Sequence, residues 1–249
     1  MRNMLAGIIV VNWVFVGAAA RADDTEKARA TVDQAIMAIG GEATASKYNA
    51  ATSKLKGTIH IQDMDVPFEA EMSRQGTNQS RANIELEIAG QKVSFVQVFN
   101  KDKGWIKVND MLMDLDKDKI AELTEGAHNQ WLSTIVTLKD KSVTLALVGD
   151  AMVNDKPAVA IKASVKGRRD LTLFFDKATH FLVKTEGRVK DDDSGQEVTQ
   201  ETLLSGHTGK EVKAAVKMII KREGKKFLEA EISDIKMLEK LDESTFDKP

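Results

Sequence analysis

The 249-residue chain contains no cysteine, only three prolines and only 5% aromatic residues. Without cysteine there is no disulfide framework, no zinc–thiolate site, no iron–sulfur cluster and no thiol nucleophile. So little proline, with 42% hydrophobic residues, excludes a collagen-like or low-complexity disordered chain. There is also no excess of positive charge. The formal net charge is −2, so no net basic field is available to hold a nucleic acid backbone. Familiar catalytic signatures are missing too: no G-x-S-x-G elbow, no Walker loop, no H-E-x-x-H and no dinucleotide-binding glycine cluster. The four histidines, His60, His128, His180 and His207, are far apart in sequence, so a histidine metal centre would need distant segments to converge. No metal and no cofactor is expected.

The first 22 residues read as a targeting segment. Arg2 precedes an apolar run from Leu5 to Val16 interrupted only by Asn12, and Ala20-Arg21-Ala22 places small residues where a signal peptidase reads them. An uncleaved anchor is the alternative, but the run is short for a comfortable membrane span. Cleavage after Ala22 removes two arginines and no acid, moving the formal charge from −2 to −4. The expected product is an exported, periplasmic protein comprising residues 23–249 as one domain.

Within that product the apolar period changes once near the start. Ala28, Val32, Ala35, Ile36 and Ile39 recur at steps of three and four, which predicts a helix over 25–39 ended by Gly40-Gly41. From residue 54 the period is two. Val66, Phe68, Ala70 and Met72 alternate with polar residues, as do Ile84, Leu86 and Ile88, which predicts half-buried strands. Further strands are expected at 92–99, 104–108, 142–148, 157–165, 169–176, 180–190, 196–205, 213–222 and 226–236. Short turns such as Ala89-Gly90 and Glu223-Gly224 join them, and such connections permit only antiparallel neighbours. A second helix is expected over about 116–137, with Ile120, Leu123, Ala127, Trp131 and Ile135 on one face. There is no βαβ alternation, which argues against a Rossmann-type dinucleotide fold. The fold class is mainly β with α: a strongly curved antiparallel sheet of about 10–11 strands, with helices packed into its concave side.

Several features have a bland reading that outweighs a functional one. Asp191-Asp192-Asp193-Ser194-Gly195 does not have the spacing of an EF-hand and reads as a solvated hairpin turn. Met111 and Met113, without histidine or cysteine nearby, read as flexible apolar contacts rather than copper ligands. The basic clusters Lys166-Gly167-Arg168-Arg169 and Lys221-Arg222 read as solvated hairpin surface.

The order and spacing of three motifs resemble the LolA/LolB-like lipoprotein-carrier superfamily, and in particular its exported outer membrane lipoprotein-sorting proteins. The motifs are Asn100-Lys101-Asp102-Lys103-Gly104-Trp105-Ile106, Leu173-Phe174-Phe175-Asp176-Lys177 through Phe181-Leu182-Val183-Lys184, and the ending Asp242-Glu243-Ser244-Thr245-Phe246-Asp247-Lys248-Pro249. The resemblance implies an incomplete β-barrel whose hydrophobic cavity carries acyl chains of lipids or lipoproteins through water, with no catalysis. It further implies a place in outer membrane biogenesis and a lipoprotein-handling component of the inner or outer membrane as partner. On that reading Phe68, Met72, Ile84, Leu86, Ile88, Phe95 and Trp105 line the cavity, although ordinary core packing would use the same residues. Arg74 matches the family's arginine that ties the lid helices shut, and Trp131 and Ile135 belong to the lid. The family's proline after that arginine is replaced here by Gln75, and a solvated Arg74 just past the strand end is the alternative. A sensor or protein-interaction module on the same scaffold, or an enzyme of unassigned type, are the competing functions.

Overall fold

The computed structural model describes residues 17–61, 64–191 and 194–249, with side chains from residue 23 onward. The targeting segment lies largely outside these residues; the backbone of 17–22 forms the first turns of α1 (Gly17–Ile39). A one-turn α2 (Glu42–Ala45) follows, then six strands: β1 (Ala50–Ile61), β2 (Met64–Gln75), β3 (Gln79–Ile88), β4 (Gln91–Asn100), β5 (Lys103–Val108) and β6 (Met111–Asp114). Helix α3 (Lys117–Ser133) and a 3-10 turn (Val136–Lys139) interrupt the meander. Seven strands complete it: β7 (Val143–Val153), β8 (Lys156–Val165), β9 (Leu171–Asp176), β10 (Leu182–Lys190), β11 (Glu197–Ser205), β12 (Lys217–Arg222) and β13 (Lys225–Leu238). A second 3-10 turn, Glu243–Phe246, ends the chain.

All thirteen strands form one antiparallel sheet in the order β6-β5-β4-β3-β2-β1-β13-β12-β11-β10-β9-β8-β7, not closed into a barrel. The expected antiparallel sheet is therefore present, with more strands than the 10–11 read from sequence. One of them is β6, which holds Met111 and Met113 in a strand. First and last strands meet at the centre, because β1 pairs with β13 from Ala50↔Leu238 to Ile59↔Leu228. The consecutive strands β6 and β7 lie at opposite free edges. The connection carrying α3 must therefore cross from one edge to the other. It does so over one face: Leu115 and Ile120 come against Gly104 of β5, while α3 packs on β9 and β10.

The face carrying the helices is called the inner face. Over β7–β10 it is a closed core. Ala28, Val32, Ala35, Ile36 and Ile39 of α1 are all buried there with Val143 and Leu145 of β7, Ile161 of β8 and Leu171, Leu173 and Phe175 of β9. Each large aliphatic side chain buried there contributes about 1.5–3 kcal/mol before its entropy cost. Gly40 and Gly41 end α1 at φ 131° and 88°, and the Gly41 N–H donates to the Ile36 carbonyl. Asp116 caps α3 by accepting from the Lys119 N–H.

The outer face has two coverings. The β7–β8 hairpin shifts register between Leu147 and Gly149, and beyond the shift Ala151 and Val153 pack with Ala158, Ala160, Phe174 and Leu203. Over β3–β5 the chain's own end is the cover. Phe246 is fully buried, Asn100 Nδ2 donates to its carbonyl, and Gln75 Oε1 accepts from the Leu241 N–H at 2.7 Å. Gln75, Gln79 and Asn100 form an amide ladder beneath this segment. The terminal motif Asp242 to Pro249 thus caps the outer face.

Candidate functional site: an inner apolar groove and its helical lid

Directly opposed residues in a ladder point to the same face. Following register outward from Leu173 of β9 therefore traces the inner face across the sheet. It passes through Leu228 and Ala230 of β13, Leu55 and Ile59 of β1, and then Phe68, Ala70 and Met72 of β2. From there it continues through Ile84 and Leu86 of β3 to Phe95 of β4. The helices pack on β7, β9 and β10, leaving this other half less covered. Phe68, Ala70 and Ala230 are buried, whereas Leu55, Ile59, Met72, Ile84, Leu86 and Leu228 are half-buried around them. The result is an apolar trough open to solvent. The hairpin tips at one end add exposed apolar side chains on the same face: Met64, Ile88, Met111 and Met113 are 53%, 41%, 67% and 42% exposed.

Helix α3, over β9 and β10 beside this trough, is latched to the sheet electrostatically. The Arg169 guanidinium, in the β8–β9 turn, makes two parallel 2.8 Å bonds to the Glu122 carboxylate of α3. Its Nε donates to Glu197 at 2.9 Å, and Arg168 reaches Glu125 at 3.0 Å. Both Arg169 and Glu122 are about one quarter exposed, so the bidentate pair is partly shielded from water and salt. One turn further along α3, His128 is buried and stacks on Trp131 at 5.6 Å between centroids. His128 Nε2 and Asn129 Oδ1 have no hydrogen-bond partner. Beyond the helix, Ile135 is buried at φ 68°, a strained conformation for a β-branched residue.

Two titratable groups on α3, His128 and Glu122, weaken its hold on the sheet in acid. Burial, with a smaller contribution from Arg168 and against the pull of Glu125, holds the His128 imidazole below its ordinary value of 6.5. The unfolded chain therefore takes up that proton first. Stability is full above pH 6.5 and falls as pH drops towards the folded value. The hydrogen bonds from Arg169 hold the Glu122 carboxyl below its ordinary 4.5, despite desolvation, with help from the Lys190 N–H and charge. Its contribution is present above pH 4.5 and disappears as pH falls through the lowered value. Melting curves should show stability declining from pH 7 to pH 5, a decline that His128→Phe makes shallower while keeping the stack on Trp131, the remainder coming from His207, which burial also holds below its ordinary value. Glu122→Gln should cost about 1 kcal/mol at pH 7 and reduce the further loss below pH 4.5, the rest of which comes from other lowered carboxyls such as Asp176 and Asp242. A His128→Phe curve parallel to wild type contradicts the assignment.

Two open depressions lie elsewhere. One of about 400 Å³ sits between α3 and the β8–β9 turn, around the latch. The other, about 390 Å³, lies on the outer face, over Lys56, Thr58, Leu203, Ile219 and Glu231, with Asn154 of the β7–β8 turn at its edge. Among the described residues, no three His, Asp or Glu side chains converge as a metal site.

The arrangement has counterparts among solved structures. A LolA superfamily protein from Nitrosomonas europaea superposes with a TM-score of 0.55 at 10% identity, covering 89% of this chain and 97% of that one. The chain has the LolA-like fold. A putative outer membrane lipoprotein-sorting protein domain from Vibrio parahaemolyticus gives 0.51 at 10% identity, covering 90% and 97%. A DUF1329 family protein from Desulfovibrio piger gives 0.53 at 11%, covering 88% and 97%. No family model matches the chain, and no curated protein matches it by sequence.

Within the LolA-like fold, six of the seven residues expected to line a cavity, Phe68, Met72, Ile84, Leu86, Ile88 and Phe95, share the inner face. Trp105 does not. It pairs with Val98, three residues from Phe95 and so of opposite parity, and lies on the outer face near Lys248 of the terminal segment. Arg74 is on the inner face opposite Ala51 and Ser80, not solvated beyond the strand. However, among the described residues it makes no bond to α1 or α3; the latch is built from Arg169 instead. Trp131 is half-buried on α3, and Ile135 lies just past that helix, in the core. The latch itself escaped sequence reading, since Arg168 and Arg169 had read as solvated surface. The available signal was Glu122 and Glu125 three residues apart on the polar side of an amphipathic helix.

Proposed function

We propose that this chain is an exported periplasmic carrier that shelters acyl chains of lipids or lipoproteins in the inner groove without chemical change to them. The observation that carries the reading is the continuous apolar floor of β13, β1, β2 and β3, half-buried and rimmed by exposed Met64, Ile88 and Met113. Each methylene moved from water onto such a floor contributes about 0.8 kcal/mol, so a single acyl chain supplies ample affinity without a covalent bond. The sequence supports export through residues 1–22, and lipoprotein-sorting proteins of the same fold support the cargo class. A membrane lipoprotein-handling component would then be the delivery partner.

Native mass spectrometry of the exported protein should find co-purified lipid, and an acyl fluorophore should bind. Ile84→Glu, on the groove floor, should weaken the fluorophore at least about tenfold, the cost of about 1.4 kcal/mol or more for a charge among apolar groups. Thr58→Glu on the outer face should leave it unchanged. A protein that is always empty and ignores the fluorophore is not a lipid carrier. The alternative, a sensor or interaction module, has one observation of its own: β6 is a free edge strand with exposed Met111, Leu112 and Met113.

A further inference from the structure

Arg74 stands apart from the other arginines of the sheet and its turns. Arg81 holds Asn83 and the Thr245 carbonyl, Arg169 holds Glu122, Arg188 holds Thr199, and Arg222 holds Gln200 and lies over Phe227. Among the described residues, Arg74 has no hydrogen bond, ion pair or ring partner. Its inner-face neighbours by register are Ala51 and Ser80, with Phe99 across from Ser80. None of them carries charge. Burial pulls its pKa down from the ordinary 12.5, and no carboxylate offsets that pull. Partly desolvating a guanidinium without an anion is costly, so the fold holds a half-buried cation, still reached by solvent and without a partner among the described residues, at the end of an apolar floor.

We infer that Arg74 is the head-group site of the groove, and that the preferred ligand is an acidic amphiphile: an oxyanion, carboxylate or phosphate, on a single long chain. The inference rests on the reading that the groove takes acyl chains. A guanidinium fork matches either oxyanion with two parallel bonds, which an ammonium does not. The floor has the right length. Arg74, Met72, Ala70 and Phe68 succeed one another on the inner face of β2, and at about 3.3 Å per residue Phe68 lies about 20 Å from Arg74. One acyl chain occupies about 15 Å of a bilayer, so a chain anchored at Arg74 lies over Met72 and ends just past Ala70 and Ile84, with Phe68 and Leu86 beyond its tip. A neutral ester or amide head would leave the cation unpaired.

The test uses the full protein and three probes of one chain length: hexadecanoate, hexadecyl phosphate and methyl hexadecanoate, each displacing a bound acyl fluorophore. Wild type should bind at least one anion about tenfold or more tighter than the ester. A carboxylate preference points to free fatty acids, and a phosphate preference to phospholipid heads. Arg74→Gln should bring both anions to the ester's affinity without weakening the ester, and Arg74→Lys should restore only part of the preference. Because the comparison among probes is made first on wild type, it stands even if a variant folds poorly. Equal affinity for all three probes in wild type, or a preference that survives Arg74→Gln, overturns the head-group site while leaving the groove intact. Failure of every probe, the ester included, overturns the groove reading itself.

Discussion

Gly57→Ala is expected to break the sheet at its centre, lowering stability by about 4 kcal/mol or more. Gly57 lies on β1 between Ala230 of β13 and Phe68 of β2. A Cβ built there sits 1.9 Å from the Glu229 carbonyl oxygen and 2.7 Å from the Ala230 Cα. Both obstacles are backbone, so no rotamer change relieves them; the strands must part. The β1–β13 pairing joins the N-terminal run of strands, which floors the groove, to the C-terminal run under the helices. In a chain of this size each kcal/mol is worth about 2–4 °C, so the melting temperature should fall by about 8 °C or more. Gly126→Ala is the matched control: it lies within α3 with nothing within 4 Å of the added carbon, and should be neutral or stabilising by up to about 1 kcal/mol. A Gly57→Ala protein melting within 2 °C of wild type, by about the error of such a comparison, would show that the seam yields without cost.

What the sequence made legible was period, and what it withheld was register. Steps of three and four along Ala28, Val32, Ala35, Ile36 and Ile39 identify a helix face because the period alone settles it, and all five are buried as a group. Alternation along Ile84, Leu86 and Ile88 likewise settles which residues share a face within β3. It does not settle how one strand's parity joins the next. The tight turn at Lys101-Asp102 pairs Asn100 with Lys103, which sends Trp105 to the outer face and Ile106 to the inner one. Both neighbours are apolar, so the pattern in Gly104-Trp105-Ile106 could not choose between them. The outer site is dry only because the chain's last residues return to cover it. The same limit hid the latch. Glu122 and Arg169 are 47 residues apart in sequence and meet only because α3 crosses the sheet from edge to edge. Arg74 shows the converse: strand parity places it on the inner face, yet that it has no partner among the described residues is visible only in the folded structure.

Leu132→Asp should have the second large effect, and a more local one. Leu132 is fully buried on α3, in the core shared with Ile36 of α1 and Leu171 and Leu173 of β9. Leucine to alanine at such a site costs about 2.7–5 kcal/mol from lost contacts and the cavity left behind, and a carboxyl there adds its own desolvation. Trp131→Asp should cost less, because Trp131 is only half-buried and its neighbour His128 keeps its place on the helix. The ordering matters more than either number. α3 is bound to the rest of the protein by this apolar face and by the Arg169–Glu122 latch, whereas the groove floor of β1–β3 is held by strand pairing that neither substitution touches. The lid should therefore release before the sheet unfolds: limited proteolysis should cut Leu132→Asp first within residues 115–142, under conditions where β1–β4 amides still resist hydrogen exchange. If both variants melt as wild type does, α3 does not lie where it has been placed; if proteolysis and exchange collapse together across the whole sheet, α3 is not a separable element.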